Sequence, residues 1–147
     1  MIYKFNCFFA VFIPVTHTNT VAFSATISSH HVTGLGTNQP IVFDDVVTNE
    51  GNSYSGRTGI FTSPTNGTFF FLSSVMTHTG EYLEAEIVKN GAQIALMYSK
   101  DAEYEQGTNG AVVNLQQGDE VWVRHRGNAG SKVYGYGWSS FLGFKLF

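Results

Sequence analysis

The acidic segment Asp101–Glu105 contains the side chains best suited to hold a metal ion. It reads Asp-Ala-Glu-Tyr-Glu, so three carboxylates fall within five residues. Carboxylate oxygens on an irregular loop are the hard ligands that Ca²⁺ prefers. The segment therefore predicts a calcium site, and the alternative is an acidic loop that meets only solvent.

A basic group near the C-terminus indicates a second kind of chemistry. Arg124, Arg126 and Lys132 lie close together in the sequence, beside Trp122. If residues 121–126 form a strand, Trp122, Arg124 and Arg126 project from one face, because side chains alternate along a strand. An indole beside guanidinium groups can stack on a sugar ring or pair with a carboxylate or phosphate. We therefore predict that Trp122, Arg124, Arg126 and Lys132 bind a ligand; the alternative is an ordinary solvent-exposed face or a subunit contact.

A run of aromatic residues near the C-terminus could also serve as a binding surface. Tyr134, Tyr136 and Trp138 alternate with glycines. In an extended strand the three rings would project from one side. A platform for a sugar is one interpretation, and packing in the core or in a trimer interface is the favoured one.

The histidines do not show the spacing of a metal site. His30 and His31 are adjacent, so in a strand they would point to opposite faces and joint chelation would be awkward. We interpret them as part of a solvated loop. His78 continues the alternation of a strand, which indicates a structural role.

The sequence contains no motif for catalysis. It lacks His-Glu-x-x-His, Gly-x-Ser-x-Gly and a phosphate-binding loop, which are common signatures of enzyme sites. The net charge of −3 and the absence of a long basic run also disfavour nucleic acid as a partner, because phosphate neutralisation needs clustered Lys and Arg. The sequence therefore disfavours both an enzyme and a nucleic-acid-binding protein.

The N-terminal segment has features of a signal peptide. After Lys4, an apolar run extends from Phe5 to Val15, and it is too short to span a bilayer as a helix. We predict that residues 1–20 are a signal peptide or its remnant and that residues 21–147 form one globular domain. A mis-assigned gene start or a buried N-terminal strand is the alternative. Secretion would also give meaning to Asn66, which begins the glycosylation sequon Asn-Gly-Thr.

Apolar residues recur with period two, which is typical of strands. The runs Val21–Ile27 and Leu83–Ile87 both alternate in this way. Asn90-Gly91 separates the second run from a third, Ile94–Tyr98, and Asn-Gly between two alternating runs predicts a hairpin with a type I′ turn. Dense Gly, Pro and Asn punctuation without a convincing helix predicts an all-β sandwich, jelly roll or barrel.

The composition indicates that part of the protein surface is apolar and is covered by a partner. Charged residues make up 13% of the 147 residues and aromatic residues 15%, whereas a charged fraction of about a quarter is usual. In a strand over residues 69–76, Phe69, Phe71 and Val75 would lie on one face. Phe70, Leu72 and Met76 would lie on the other face. One of these apolar faces can pack inside a sandwich, and the other needs a second cover. A neighbouring subunit or the same chain could supply that cover.

Six short motifs extend in order over most of the chain. They are Ala22–Ala25, Ile41–Asp44, Gly59–Pro64 as Gly-x-Phe-x-x-Pro, Gly67–Phe71 as Gly-x-Tyr-x-Phe with Phe69 in place of the tyrosine, Gly118–Trp122 as Gly-Asp-x-Val-Trp, and Phe141–Leu146 as Phe-x-Gly-x-x-Leu. Together they resemble the C1q globular-domain family, a part of the C1q/TNF group. The resemblance implies a jelly roll of two antiparallel sheets that assembles as a homotrimer. The sequence contains no Gly-X-Y run, so it resembles a head without a collagen-like stalk.

The resemblance also implies specific metal ligands. Some family members bind calcium through aspartates in the loop that corresponds to residues 101–105. Asp101 and Glu105 fall near those positions, although the spacing differs and the second residue is Glu. We therefore expect Asp101 and Glu105 to be the calcium ligands, and we expect no other cofactor.

By resemblance, we expect a secreted, non-catalytic trimeric module of innate immunity that is lectin-like. It would bind microbial glycans, lipopolysaccharide or acidic surfaces through exposed loops. The alternative is a trimeric extracellular signalling ligand of the TNF or cerebellin type, which recognises a receptor ectodomain. A trimerising structural head is disfavoured by the missing collagen-like run. We expect no nucleic-acid partner and no membrane span.

Overall fold

The computed structural model describes residues 20–77, 80–100, 105–127 and 130–147. The regular secondary structure in these residues consists of β-strands, as the sequence predicts. The strands are β1 (Ala22–Thr26), β2 (His31–Val32), β3 (Asp45–Glu50), β4 (Tyr54–Ser55), β5 (Ile60–Thr62), β6 (Gly67–Met76), β7 (Tyr82–Lys89), β8 (Ala92–Lys100), β9 (Gln106–Leu115), β10 (Glu120–His125), β11 (Val133–Tyr134) and β12 (Ser140–Lys145). Within these described ranges, no helix is long and apolar enough to cross a bilayer. The predicted signal peptide is outside them except for residue 20, and His78 and Asp101 are outside them as well.

The strands form two five-stranded sheets that pack face to face. The first sheet has the order β3-β1-β12-β6-β9 and the second has the order β4-β5-β10-β7-β8, while β2 and β11 form a separate pair. Neighbouring strands are antiparallel throughout. Because many spatial neighbours are distant in the sequence, the connections cross between the sheets in the manner of a jelly roll.

Aromatic residues fill the space between the two sheets. The ring of Phe23 stacks on Tyr54 with centroids 4.5 Å apart and meets Phe141 edge-on at 4.9 Å. Phe71 is fully buried beside them. Gly143 pairs with Phe71 across β12 and β6, and a Cβ at this glycine would lie 2.4 Å from Phe71 Cδ1. A glycine at this position is therefore needed for the aromatic core to close.

The Asn90-Gly91 hairpin is confirmed, because both residues have positive φ, at 49° and 83°, as a type I′ turn requires. The alternation of Ile94, Leu96 and Tyr98 identifies strand β8 but not its inward face. Leu96 and Tyr98 are 40% and 53% exposed. Ala95 pairs with the buried Ile87. Because paired residues share a face of the sheet, Ala95 points into the core in place of its larger neighbours.

The outer side of the first sheet carries an apolar surface that the described part of the chain leaves half-exposed. We call it the outer apolar face. It consists of Phe70, Leu72, Val112, Leu142 and Phe144, which are cross-strand neighbours on β6, β9 and β12. The rings of Phe70 and Phe144 lie 5.5 Å apart. A contiguous apolar surface of this kind is typical of a protein–protein contact.

The two ends of the sandwich differ in the segments that they gather. At the base, the amide of Lys145 donates to Val21 O and the amide of Thr68 donates to Phe147 O. At the opposite end, which we call the apex, Met76 of β6 pairs with Gln106 of β9. The β2–β11 pair and the ends of β7 and β8 at which Tyr82 pairs with Lys100 also belong to the apex.

Candidate functional site

The aromatic run at the apex forms a tight turn and not the extended strand that would place its rings in one row. Tyr136 and Gly137 have φ of 50° and 81°, and the amide of Trp138 donates to Gly135 O over 3.0 Å. Positive φ at both central positions is the signature of a type I′ turn. Tyr136 is 64% exposed and Trp138 is 56% exposed. The interpretation of these two residues as core packing is therefore wrong, and their packing in a trimer interface stays a prediction.

Backbone hydrogen bonds fix this turn to the segment that follows β1. Its amides donate to three backbone oxygens: Gly135 to His30 O at 2.7 Å, Tyr136 to Ser29 O at 2.9 Å, and Gly137 to Ile27 O at 3.1 Å. A Cβ at Gly135 would lie 1.8 Å from Ser29 O, so only glycine permits this approach. The exposed rings are thus carried by a rigid backbone.

A groove opens beside the turn. It has a volume of about 440 Å³ and is lined by Met76, Gln106, Tyr134 and Trp138. The side-chain amide of Gln106 donates to Trp138 O over 2.6 Å, which ties the turn to the start of β9. Aromatic and apolar walls with a few polar groups are typical of small-molecule sites. No sequence motif identifies Met76 and Gln106 as site residues, because only the pairing of β6 with β9 brings them to the aromatic turn.

Tyr136 adopts a backbone conformation that bulky residues rarely take. Its φ of 50° lies in the left-handed region, which Gly and Asn occupy at lower cost. The ring lies 5.0 Å from that of His30 and is mostly exposed, so core burial does not account for the choice of tyrosine. Unfavourable backbone conformations of this kind concentrate at binding sites.

The structure brings His30 and His31 together, contrary to the expectation that they point apart. Their Nδ1 atoms lie 2.9 Å from each other. The expectation was wrong because only His31 belongs to a strand, β2, and His30 precedes it. The ring of His30 also packs edge-on against Tyr134, at 5.1 Å.

The predicted basic group lies mainly on the outer side of the second sheet. Trp122 and Arg124 share one face of β10, Arg126 directly follows that strand, and Lys132 precedes β11. Each cation lies close to a glutamate: Arg124 Nε is 2.7 Å from Glu86 Oε1, Arg126 Nη1 is 4.0 Å from Glu84 Oε2, and Lys132 Nζ is 2.8 Å from Glu81 Oε1. An anionic ligand here must compete with those carboxylates. Ligand binding by this group stays a prediction.

Only one of the two expected calcium ligands falls within the described residues. Asp101 lies outside them. The side chain of Glu105 accepts a hydrogen bond from the Lys100 amide at Oε2 over 2.9 Å, and its backbone oxygen accepts from Thr77 N. Across the described ranges, no three His, Cys, Asp or Glu side chains cluster in a way that could hold a metal ion. Calcium binding stays a prediction.

Asn66 lies exposed in the turn before β6. Its Oδ1 accepts a hydrogen bond from the Gln117 amide over 2.8 Å. The amide nitrogen, to which a glycan would be attached, belongs to an exposed residue at the base. A glycan there would lie at the opposite end of the sandwich from the apex groove.

Comparison with protein families and relatives gives consistent results. A model of the C1q domain matches residues 22–146. Complement C1q tumor necrosis factor-related protein 3 of Mus musculus is 36% identical over 130 residues, which cover 86% of this chain and 51% of that protein. Caprin-2 of Danio rerio is 35% identical over 133 residues, which cover 86% of this chain and 14% of that protein. The chain spans about half the length, or less, of the curated relatives it matches.

Solved structures share the architecture. The globular domain of zebrafish complement 1qA protein has a TM-score of 0.67 at 20% identity, covering 86% of this chain and 98% of that one. The Eiger TNF of S. frugiperda has a TM-score of 0.69 at 11% identity, covering 88% and 94%. Identities this low concern the fold alone, and they confirm the jelly roll of two antiparallel sheets. Because the family model extends over most of the sequence, the chain belongs to the C1q domain family.

Proposed function

We propose that the protein is a secreted, non-catalytic module that assembles as a homotrimer and recognises repeated glycans on microbial surfaces. Lipopolysaccharide and other acidic polysaccharides belong to this ligand class. The observation that carries the proposal is the exposed aromatic groove at the apex, lined by Met76, Gln106, Tyr134 and Trp138. Membership of the C1q domain family supports a binding role, because domains of the C1q/TNF group are generally non-catalytic.

The chemistry of the groove suits a sugar ring. A pyranose has an apolar C–H face and a rim of hydroxyl groups. The exposed Trp138 ring offers a flat apolar surface, and aromatic side chains with a polar edge serve such amphipathic contacts. The amide of Gln106, which already donates to Trp138 O, keeps its carbonyl oxygen as an acceptor for a hydroxyl group.

A trimer explains how an open groove can bind usefully. The groove is open, and open sites usually hold single small ligands weakly. Three grooves at fixed spacing on one particle face a high effective concentration once one is engaged, which can raise avidity by about 10²–10⁴. Trimer formation is consistent with the family, and a closed ring of subunits would cover the outer apolar face.

A matched pair of tryptophan variants tests the site. The intact protein, Trp138→Leu and Trp122→Leu are applied to an array of microbial polysaccharides and lipopolysaccharides. We expect Trp138→Leu to lose binding at least tenfold and Trp122→Leu to retain it. The reverse result would place the ligand on the basic group of the second sheet, where Trp122 lies.

The same array should carry receptor ectodomains. Binding to an ectodomain without binding to any polysaccharide would overturn the glycan proposal. It would favour the alternative, a trimeric signalling ligand of the TNF or cerebellin type.

A further inference from the structure

The adjacent histidines at the apex have the geometry of a chelate. We propose that His30 and His31 together bind one divalent transition-metal ion through their Nδ1 atoms, with Cu²⁺ or Ni²⁺ as the fitting ions. This inference goes beyond glycan recognition and does not depend on it. It concerns ions and residues different from those of the expected calcium site.

The separation of the two nitrogens supports the proposal. The Nδ1 atoms are 2.9 Å apart. An imidazole nitrogen binds such metals at about 2.0–2.1 Å. Two nitrogens at that distance and at a right angle around one ion are separated by about 2.9 Å, whereas tetrahedral sites need about 3.3 Å. The observed separation therefore fits neighbouring positions in the tetragonal geometry of Cu²⁺ and Ni²⁺ better than it fits Zn²⁺.

The surrounding structure holds the two rings in place. His31 pairs with Tyr134 across β2 and β11. The backbone oxygen of His30 accepts from the Gly135 amide at 2.7 Å. The His30 ring packs 5.1 Å from that of Tyr134 and 5.0 Å from that of Tyr136. Because the fold has already brought the rings together, binding a metal requires little further ordering.

The proton balance of the pair is simple. Without metal, one neutral imidazole donates from Nδ1 to Nδ1 of the other. When a metal takes the place between them, the donor ring moves its proton to Nε2, so both Nδ1 lone pairs become ligands. Two neutral imidazoles thus bind the ion without a net release of protons.

The remaining coordination positions are open. Among the described residues, no third His, Cys, Asp or Glu joins the pair. Water or donor atoms of an external ligand would therefore complete the coordination of the ion. His30 is exposed and His31 is half-buried, so the site is accessible from solvent.

Titration of the intact protein with Cu²⁺ or Ni²⁺ alone tests the proposal. We expect one ion per chain, with nitrogen hyperfine splitting from two imidazoles in the Cu²⁺ electron paramagnetic resonance spectrum. His30→Gln and His31→Gln should each weaken binding by about tenfold or more, since even outer partners of metal ligands contribute about 10–100-fold. The variant His78→Gln keeps the pair and serves as the control, which should bind like the parent.

Two outcomes would overturn the proposal. One is unchanged affinity in both His30→Gln and His31→Gln, and the other is loss of binding only in the control. Imidazole NMR signals of the unmodified protein provide a readout that does not depend on how the variants fold. Substoichiometric Cu²⁺ should broaden the signals of His30 and His31 first, and broadening confined to other histidines would also refute the site.

Discussion

Arg124 and Glu86 form an ion pair on the second sheet, with Nε and Oε1 2.7 Å apart and the Glu86 side chain only 5% exposed. The two residues face each other across β10 and β7. Because the Glu86 carboxylate is buried, it has lost most of its hydration, and the guanidinium compensates for that loss. Arg124, which the sequence offers as a ligand-binding cation, therefore has a structural partner inside its own chain.

Removal of Arg124 should destabilise the fold more than removal of its exposed neighbour. Arg124→Ala leaves the Glu86 carboxylate buried and unpaired, so we expect the free energy of unfolding to fall by about 3 kcal/mol. Arg126→Ala breaks a contact of 4.0 Å at an exposed side chain and should cost about 0.5 kcal/mol or less. Urea denaturation measures both values. Equal losses in the two variants would show that burial of Glu86 does not govern the effect.

Asp119 should make stability depend on acid. Hydrogen bonds from the Gln116 amide, the Asn90 side chain and the Lys89 ammonium lower the pKa of Asp119 from 3.8 to about 2. A carboxylate with a lowered folded-state pKa stabilises the fold above its unfolded pKa, and this contribution disappears as the pH falls through the folded pKa. Asp119→Asn should therefore melt below the parent at pH 7, and the gap should shrink between about pH 4 and pH 2. A gap that stays constant over this range would contradict the assignment.

Calcium should raise the melting temperature if Asp101 and Glu105 bind it. A ligand that binds only the folded state stabilises it by mass action, by about 2.7 kcal/mol at a concentration 100 times its Kd. The comparison is calcium against chelator, with Mg²⁺ as the ionic control. Asp101→Asn should abolish the difference. An equal shift in the parent and in Asp101→Asn would remove this loop from consideration.

The sequence predicts where several strands lie, but it does not predict for every strand which face points into the core. The period-two runs and Asn90-Gly91 predict β1, β7 and β8 because turn chemistry and alternation are local properties. The inward face of β8 depends on which residue opposes Ile87, and a register shift after Ile87 settles that. Since Leu96 and Ala95 are both apolar, the pattern alone cannot choose between them.

Only part of the candidate site can be predicted from the sequence. Tyr134 and Trp138 are visible as an aromatic run, but the sequence does not reveal that Tyr136-Gly137 turns the chain between them. Met76 and Gln106 reach the groove through strand pairing over a long sequence separation. The glutamates that pair with the basic group lie on other segments, far away in the sequence. The sequence therefore does not reveal that these cations form ion pairs in the fold.

Replacing Tyr136 should separate stability from binding. Asn tolerates the φ of 50° at this position better than Tyr does, so Tyr136→Asn should melt at the parent temperature or above it. Loss of the exposed ring should at the same time weaken polysaccharide binding. Gly137→Ala, where φ is 81°, is the matched backbone control and should lower the free energy of unfolding by about 1 kcal/mol or more. A large loss of stability in Tyr136→Asn would show that the ring, and not the backbone, governs the turn.

Phe144→Asp should give a folded monomer. Phe144 is 39% exposed in the single chain, so a carboxylate at this position can remain hydrated in the monomer. In a closed trimer that covers the outer apolar face, the same charge would be buried without a partner, at a cost of several kcal/mol. Sedimentation at micromolar concentration should show a trimer for the parent and for Phe144→Leu, and a monomer for Phe144→Asp with an unchanged circular dichroism spectrum.

The same variant tests the link between assembly and binding. Because the apex groove is left intact, Phe144→Asp should bind a free oligosaccharide like the parent. It should bind immobilised polysaccharide about 10²–10⁴ times more weakly, since linkage between the three sites is lost. A monomeric parent would refute the trimer itself, and a trimeric Phe144→Asp would refute the outer apolar face as its interface. If the monomer binds the immobilised polysaccharide as tightly as the trimer does, one groove is sufficient for recognition and the avidity argument is wrong.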